Sequence, residues 1–351
     1  MLRALKLTAL RMAGGMGLNS LLLESSWRRH RLLILGYHGV SLEDEHEWSP
    51  SLYLPPALFR DRMEDLRRMD CAVLPLGDAL TRLYAGSLPP KAVTLTFDDG
   101  GYDFHEVAWP VLREYGFPAT VYLTTYYSEY NRPVFDVMLS YLLWKGRLRS
   151  LSWPEFLPAP VWLDERGRDQ AVFRIRGRAR QAELSGAQKD DVLAELAARL
   201  EVDYAALCAR RILHLMTPAE AGEVASAGVD IQLHTHRHRV SLRRDLFLKE
   251  LEDNRRSIAA ISTAPALHFC YPNGLSRPAF QEFLRSAGVL SAVTMQAGLA
   301  DMRTDRYSLP RVADVSTLTA AEFAGWVSGL ASFLPRRVLA ESLYPLMEAA
   351  E

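Results

Sequence analysis

The chain has 351 residues, of which 49% are hydrophobic, and its 41 basic and 42 acidic residues leave a formal net charge of −1. This near-neutral balance argues against a nucleic-acid partner, since domains that bind nucleic acid are usually strongly basic, and the hydrophobic content is ample for a buried core. The three cysteines are scattered and odd in number, which argues against a disulfide framework and favours a reducing compartment.

Residues 1–30 form an N-terminal segment with its own pattern. Its first apolar residues recur at helical spacing and are interrupted by Arg3, Lys6 and Arg11, which predicts an amphipathic helix. The stretch is too broken to span a bilayer, and no clean apolar core leads to a small-residue cleavage site. The helix either makes peripheral contact with a membrane surface or packs on the flank of its own domain. Without a clean signal peptide, a cytoplasmic location is favoured, membrane-associated if the helix binds lipid.

From residue 31 onward, strand and helix patterns alternate. Apolar runs predict strands at 32–40, 71–76, 93–97, 118–125, 229–233, 267–271, 290–295 and 308–312. Helical periodicity predicts helices at 55–69, 78–84, 103–115, 218–227, 243–261, 278–287 and 318–334. This alternation implies parallel strands with helical crossovers, and the count suits an irregular (β/α)7-type barrel over residues 31–335, with 336–351 as a tail.

The alternation stops between residues 126 and 216. This region is too long for a plain loop, so we interpret it as a mainly helical insertion between two barrel units. Six arginines lie between residues 166 and 180, with acidic residues interspersed. We interpret this run as a solvated strand or turn face; the alternative is contact with an anionic group such as a lipid diphosphate. The tryptophans of the insertion either pack its small core or, if exposed, stack on sugars.

Two adjacent carboxylates, Asp98 and Asp99, follow the strand at 93–97 and precede two glycines. One aspartate in this position is well explained as the cap of the next helix. Two are less so, because adjacent like charges raise each other's pKa and a buried pair needs a metal, a cation or hydrogen-bond donors nearby. The pair therefore indicates a functional site.

A second polar cluster follows the strand at 229–233, which runs directly into His234-Thr235-His236-Arg237-His238. On an extended chain all three histidines would face the same way, whereas on a helix His234 and His238 would align. Imidazoles together with a carboxylate are a good ligand set for zinc with one position open to water. His38, Asp99, His234 and Tyr271 are all predicted at carboxyl ends of strands, where (β/α) barrels place their chemistry.

These motifs resemble those of the polysaccharide deacetylase family (NodB-homology, carbohydrate esterase family 4). The resemblance covers residues 32–125 and 217–312 and rests on five segments: TFDDG at 96–100, the H-T-x-x-H pattern of HTHRH at 234–238, LLILGYHGV at 32–40, FPATVYLTT at 117–125 and FCYPNG at 269–274. It implies the barrel fold and a metal-dependent hydrolase. The expected reaction removes the N-acetyl group of an amino sugar in a polysaccharide, an oligosaccharide or a lipid-linked glycan.

The resemblance also implies a role for individual residues. Asp99, His234 and His238 match the metal ligands, for Zn²⁺ or another divalent ion such as Co²⁺, Ni²⁺ or Mn²⁺. Asp98 matches the general base, and the main-chain N–H of Tyr271 matches a donor to the oxyanion. His236 falls at a variable position of the motif, and the extended arrangement that would make it a third imidazole ligand stays open.

Three departures from the family pattern shape the remaining predictions. No histidine follows His268, so the C-terminal histidine that usually protonates the leaving amine is missing. His38 is our candidate for that acid, because the first and last strands of a closed barrel are neighbours and some relatives carry permuted motifs. The arginine that usually steadies the base is also absent, and Arg311 is our candidate to replace it. The usual proline after the second ligand histidine is Arg239 here.

The sequence is also compatible with two rival functions. One is a deformylase or another C–N hydrolase on the same scaffold. The other is a carbohydrate-binding protein that kept the fold and lost turnover, which the missing C-terminal histidine favours and the intact carboxylates and histidines oppose.

Overall fold

The computed structural model describes residues 2–334. The strands are β1 (Leu32–Tyr37), β2 (Gly39–Val40), β3 (Tyr53–Leu54), β4 (Ala72–Val73), β5 (Ala92–Phe97), β6 (Thr120–Leu123), β7 (Ser150–Leu151), β8 (Val161–Trp162), β9 (Asp230–Leu233), β10 (His268–Cys270), β11 (Ser291–Val293), β12 (Leu299–Ala300) and β13 (Val312–Ala313). The α-helices are α1 (Leu2–Gly15), α2 (Leu18–Leu23), α3 (Ser26–Arg29), α4 (Glu45–Trp48), α5 (Pro56–Arg68), α6 (Leu76–Tyr84), α7 (Trp109–Tyr115), α8 (Thr125–Tyr130), α9 (Phe135–Lys145), α10 (Glu165–Gln181), α11 (Gly186–Arg199), α12 (Tyr204–Ala209), α13 (Pro218–Ser226), α14 (Arg244–Ile261), α15 (Pro278–Ser286) and α16 (Ala320–Ser328).

The main sheet has the strand order β11-β10-β9-β6-β5-β1, and each neighbouring pair is parallel. β13 pairs in parallel with the other side of β1, and Leu309, just before β13, bridges to Val293 of β11. The chain segment that ends in β13 thus joins the two ends of the curled sheet. β12 pairs antiparallel with the start of β1. This arrangement confirms the predicted irregular (β/α) barrel.

Strand periodicity sorts the side chains of the sheet into two layers. On β5, Val93, Leu95 and Phe97 belong to the large core between the strands and the surrounding helices. The intervening residues Thr94 and Thr96 are also fully buried, on the opposite face of the strand, which lines the barrel interior. Asp98 continues this second series, so the strand delivers its carboxylate to the inside of the barrel.

Residues between 135 and 213 build a separate core from α9, α10, α11 and the β7–β8 hairpin. The prediction of a strand or turn face for the arginine-rich run was wrong, because that run is the helix α10. Arginine favours helices, and Ala171, Ile175 and Ala179 form a buried stripe at four-residue spacing. Two tryptophans of the insertion, Trp144 and Trp153, are buried, whereas Trp162 is 54% exposed.

Several predicted element ends differ from those in the structure. The helix predicted at 103–115 begins as a five-residue π-helix, Phe104–Ala108, before α7. The last strand is limited to Val312–Ala313, since Pro310 has no N–H to contribute to a ladder. The closing helix ends at Ser328, because Gly329 adopts a left-handed φ of 88° and a short 3₁₀ turn, Leu330–Phe333, follows.

The N-terminal helices pack on the flank of the barrel. Leu10 and Ala13 of α1 are buried, and the space above Gly325 of α16 is filled by the Leu10 side chain. No helix in residues 2–334 is both long and apolar enough to cross a bilayer. The predicted tail at 336–351 lies outside the described residues.

Candidate active site

Asp98 and Asp99 stand at the carboxyl end of β5 and have different partners. The N–H of Asp98 donates to the carbonyl oxygen of Tyr37 at 2.8 Å, which ties the end of β5 to the end of β1. Asp99 has a left-handed φ of 65°, which is uncommon for a residue with a side chain and is often found at functional sites. The two adjacent carboxylates contact different side chains, Asp98 those of Arg311 and His38, and Asp99 those of His234 and His238.

Asp98 is held by a buried bidentate ion pair. Its Oδ1 and Oδ2 accept hydrogen bonds from Nη1 and Nη2 of Arg311, both at 2.6 Å. Burial by itself would raise the pKa of Asp98, but the charges of Arg311 and His38 outweigh it and lower that pKa to about 2. Asp98 is therefore an anion at any physiological pH.

His38 lies on the other side of the same carboxylate. Its Nε2 is 3.6 Å from Oδ2 of Asp98, and its side chain is 25% exposed, so it reaches both the carboxylate and solvent. The loop after His38 is held by Asp103, whose Oδ2 accepts the N–H of Val40 at 2.7 Å. Burial, reinforced by Glu45 and Asp99, raises the pKa of Asp103 to about 7 even though the Val40 N–H opposes this shift.

Asp99 faces two histidines. Its Oδ1 lies 3.1 Å from Nε2 of His234 and 3.3 Å from Nε2 of His238. The three candidate ligand atoms lie within 4.8 Å of one another. Oδ1 of Asp99 is buried and has no hydrogen-bond partner, while the side chain as a whole is 38% exposed. An orphaned carboxylate oxygen between two imidazole nitrogens, open on one side, fits a divalent cation.

The orientation of His234 is set by its neighbours. Its Nδ1 lies 2.9 Å from the carbonyl oxygen of Cys270, an acceptor that requires the proton on Nδ1, so Nε2 is the nitrogen that faces Asp99. Its main-chain N–H donates to Oδ1 of Asn254 at 3.0 Å, and Asn254 in turn donates to the carbonyl of Leu123. Asn254 thus connects the histidine loop to β6.

The histidine loop is neither an extended strand nor a helix. Thr235 and His238 both have left-handed φ values, 63° and 55°. This path brings the rings of His234 and His238 to a centroid distance of 4.9 Å and turns His236 away, where its Nδ1 meets Oγ1 of Thr125 at 2.8 Å. The extended arrangement with three aligned imidazoles is therefore wrong for this structure.

Burial lowers the pKa of His238 to about 4, although Asp99 opposes that shift, so the ring is neutral at neutral pH. The pKa of Asp99 is lowered by His238 and His234 in spite of its burial. A neutral imidazole and an ionised carboxylate are the forms in which these side chains bind metals.

Tyr271 follows β10 at the same end of the barrel. Its hydroxyl donates to the carbonyl of Tyr307 at 3.0 Å, so the side chain fixes the loop. The predicted oxyanion donor is its main-chain N–H, next to the Cys270 carbonyl that orients His234.

Arg239 occupies the position of the usual proline and uses the atom that proline lacks. Its N–H donates to Oγ1 of Thr235 at 3.0 Å, which closes the histidine loop. This chain therefore stabilises the histidine loop with a hydrogen bond that a proline at position 239 could not donate.

Six of the seven predicted site residues follow the carboxyl ends of β1, β5, β9 and β10, whereas Arg311 directly precedes β13 and contacts Asp98 from there. Their chemical roles stay predictions. Sequence reasoning missed Asn254 and Asp103. A signal for Asn254 existed, because it is a polar residue on the buried face of α14 between Leu251 and Ile258. Asp103 carried no such signal, since an aspartate at a helix start is ordinary.

The chain matches a known family model and known structures. The model described as polysaccharide deacetylase matches residues 85–292, more than half of the chain, and leaves His38 and Arg311 outside its range. YxkH of Bacillus subtilis, described as a polysaccharide deacetylase, is 34% identical over 94 residues, which are 26% of this chain and 32% of that protein. The match thus spans less than a third of the relative's length.

Two solved structures show the same fold. The Streptococcus pyogenes deacetylase PplD, solved in complex with acetate, has a TM-score of 0.55 at 17% identity and is aligned over 87% of this chain and 99% of that chain. IcaB from Ammonifex degensii has a TM-score of 0.52 at 17% identity, over 85% of this chain and 97% of that chain. With the family model, the shared barrel and the clustered motifs taken together, the chain belongs to the polysaccharide deacetylase family.

Proposed function

We propose that this protein is a metal-dependent deacetylase that hydrolyses the N-acetyl group of an amino sugar in a polysaccharide, an oligosaccharide or a lipid-linked glycan. Family membership indicates a hydrolase of amide bonds. One observation supports the dependence on a metal. Oδ1 of Asp99 is buried, has no hydrogen bond and lies beside the Nε2 atoms of His234 and His238.

Asp99, His234 and His238 would hold the ion. One carboxylate and two imidazoles suit Zn²⁺, and Co²⁺, Ni²⁺ and Mn²⁺ accept similar ligands. When bound, such an ion polarises the substrate carbonyl and lowers the pKa of a water molecule. Three protein ligands leave positions free, and the exposed side of Asp99 is where substrate would approach.

Asp98 would take the proton from water as the water oxygen bonds to the carbonyl carbon. Arg311 keeps Asp98 ionised and aims its carboxylate, which readies it to accept a proton but makes it a weak base. The reaction therefore depends on the acidity of the water molecule more than on the strength of the base. The N–H of Tyr271 would donate to the oxygen that gains negative charge.

His38 would deliver the proton that the leaving amine needs. Its Nε2 lies 3.6 Å from Oδ2 of Asp98 and its side chain is 25% exposed, so the proposed acid stands next to the proposed base and within reach of solvent. The C–N bond breaks as the nitrogen is protonated, and acetate and a free amino sugar are released. The structure of PplD contains acetate, which is the acid product expected here.

The first experiment measures the metal content of the purified protein beside an Asp99→Ala/His234→Ala double variant. We expect close to one zinc or similar divalent ion per chain in the wild type and its loss in the variant. If neither protein holds metal after zinc has been supplied, the hydrolase proposal fails.

The second experiment separates the rival functions. Wild type, Asp98→Asn and His38→Gln are loaded with zinc and incubated with N-acetylated and N-formylated glucosamine oligosaccharides, and released acetate and formate are measured. A deacetylase releases acetate, loses most of its rate in both variants and keeps its metal. Release of formate alone would indicate a deformylase, and glycan binding without release in any protein would indicate a carbohydrate-binding protein.

A further inference from the structure

Large apolar side chains are exposed in a short part of the N-terminal segment. Met12 is 61% exposed, Met16 65%, Leu18 40% and Leu21 70%. Single exposed apolar residues are normal on any protein, but a concentration within ten residues of sequence marks a contact surface. We call these four side chains the N-terminal apolar face.

The N-terminal apolar face is not a sign of loose packing. The same helices bury Leu10, Ala13 and Leu23, and Oγ of Ser328 in α16 donates to Oδ1 of Asn19 at 3.0 Å. One side of α1 and α2 is thus docked on the barrel, while Met12 of α1, Leu18 and Leu21 of α2, and Met16 between the helices are exposed to solvent. A helix that only covers the flank of its own domain needs one apolar side.

The charged residues in the sequence of α1 and α2 have one sign. Residues 2–23 contain Arg3, Lys6 and Arg11 and no aspartate or glutamate. Arg11 is exposed and lies next to Met12 in the sequence. Apolar side chains with flanking basic residues are the pattern of helices that lie on anionic lipid.

The chain that directly follows α2 contacts the amino end of β5. Just after α2, Glu24 pairs with Lys91 at 2.6 Å, and Arg28 of α3 donates to the carbonyl of Ala92, the first residue of β5, at 3.0 Å. The helices therefore reach the amino end of β5, whereas Asp98 and Asp99 follow its carboxyl end. Six residues of strand, about 20 Å, separate the two ends.

We propose that α1 and α2 bind the surface of an anionic lipid bilayer through the N-terminal apolar face, with the candidate active site at the far end of the barrel. A second copy of the chain is the competing occupant, but the uniformly basic charge of residues 2–23 would repel itself in a symmetric pair. The same charge attracts anionic lipid. The proposal does not depend on the proposed function.

The test uses the full chain and vesicle co-sedimentation. Vesicles of pure phosphatidylcholine are compared with equimolar phosphatidylcholine and phosphatidylglycerol, for wild type and for Met16→Glu/Leu21→Glu. The matched control is Leu148→Glu/Phe173→Glu, at insertion positions that are 69% and 75% exposed. We expect the wild type and the control variant to bind the anionic vesicles equally well. The N-terminal variant should bind them at least about tenfold more weakly.

A second variant isolates the charge. Lys6→Gln/Arg11→Gln leaves the apolar side chains in place and should weaken binding to anionic vesicles without altering the thermal unfolding midpoint. Equal binding by wild type and Met16→Glu/Leu21→Glu would overturn the proposal, as would failure of wild type to bind either vesicle. A wild-type dimer that the same variant dissociates, with no vesicle binding, would assign the face to a second copy and overturn it too.

Discussion

Arg311 and Asp98 form a bidentate ion pair inside the barrel although 213 residues separate them in the sequence. Both side chains are nearly inaccessible to solvent. The pair places a fixed carboxylate beside the cluster of Asp99, His234 and His238 and depends on β13 lying next to β1.

Replacing Arg311 by Met should destabilise the protein and abolish activity. Removal of one partner from a buried pair leaves an uncompensated charge and costs about 3–5 kcal/mol of unfolding free energy. The measurement is urea unfolding together with acetate release. The surface pair of Arg256 and Glu252 is the control, and Arg256→Met should change the unfolding free energy by less than about 1 kcal/mol. Equal effects of the two substitutions would contradict the assigned importance of Arg311.

Replacing Asn254 by Leu should weaken metal binding by about 10- to 100-fold, because the main-chain N–H of His234 and the carbonyl of Leu123 lose their partner. Zinc affinity is measured by competition with a chelator. His236→Gln is the matched control, since His236 is also buried in this loop but faces Thr125. Loss of zinc in the control would show that His236 is a ligand in the metal-bound protein.

Replacing Arg239 by Pro, the residue usual in the family, should weaken metal binding and lower stability in this chain. Proline cannot donate to Oγ1 of Thr235, and it disfavours the left-handed conformation of His238 before it. Arg239→Gln keeps the N–H and should bind zinc as the wild type does. If Arg239→Pro binds zinc equally well, the loop has more freedom than its hydrogen bond suggests.

Replacing Gly36 by Ala should displace Arg311 and reduce activity. A Cβ at Gly36 would lie 2.9 Å from both Cδ and Nε of Arg311, closer than real contacts allow. We expect a cost of about 1–3 kcal/mol in unfolding free energy. Gly177 of α10 has open space around its Cβ position, so Gly177→Ala should stabilise the protein by about 0.5–1 kcal/mol. A neutral Gly36→Ala would mean that Arg311 can move aside without loss.

Replacing Asp103 by Asn should remove a pH dependence of stability. The pKa of Asp103 is about 7 in the folded protein and about 4 in an unfolded chain, so the folded state binds the proton more tightly. Its stabilising contribution is complete below about pH 4 and is lost as the pH rises through about 7. The difference in unfolding free energy, wild type minus variant, should therefore decrease by up to about 4 kcal/mol as the pH rises from about 4 to about 7. Urea unfolding of both proteins without metal measures this difference, and a constant difference would contradict the raised pKa.

Local patterns in the sequence were enough to predict most of the fold and the ligand cluster. Alternating apolar residues and helical spacing act within one element, so the order of strands and helices follows from them. The strand before Asp98 and the strand before His234 were recognisable in the same way. Because parallel barrel strands end at one face, the proximity of these two motifs followed from the fold class.

Tertiary structure alone decided the remaining features. The path of the histidine loop depends on the hydrogen bond that the N–H of His234 donates to Asn254 and on the one that the N–H of Arg239 donates to Thr235, and no spacing rule predicts either. The helix α10 follows from its own sequence, in which Ala171, Ile175 and Ala179 recur at four-residue spacing, but its packing against α9 was decided by the tertiary structure. The contact of Arg311 with Asp98 arises only when the sheet curls and brings β13 beside β1. Sequence patterns specify which side chains an element buries, whereas contacts across hundreds of residues are set by how the elements pack, and that packing determined the surroundings of Asp98.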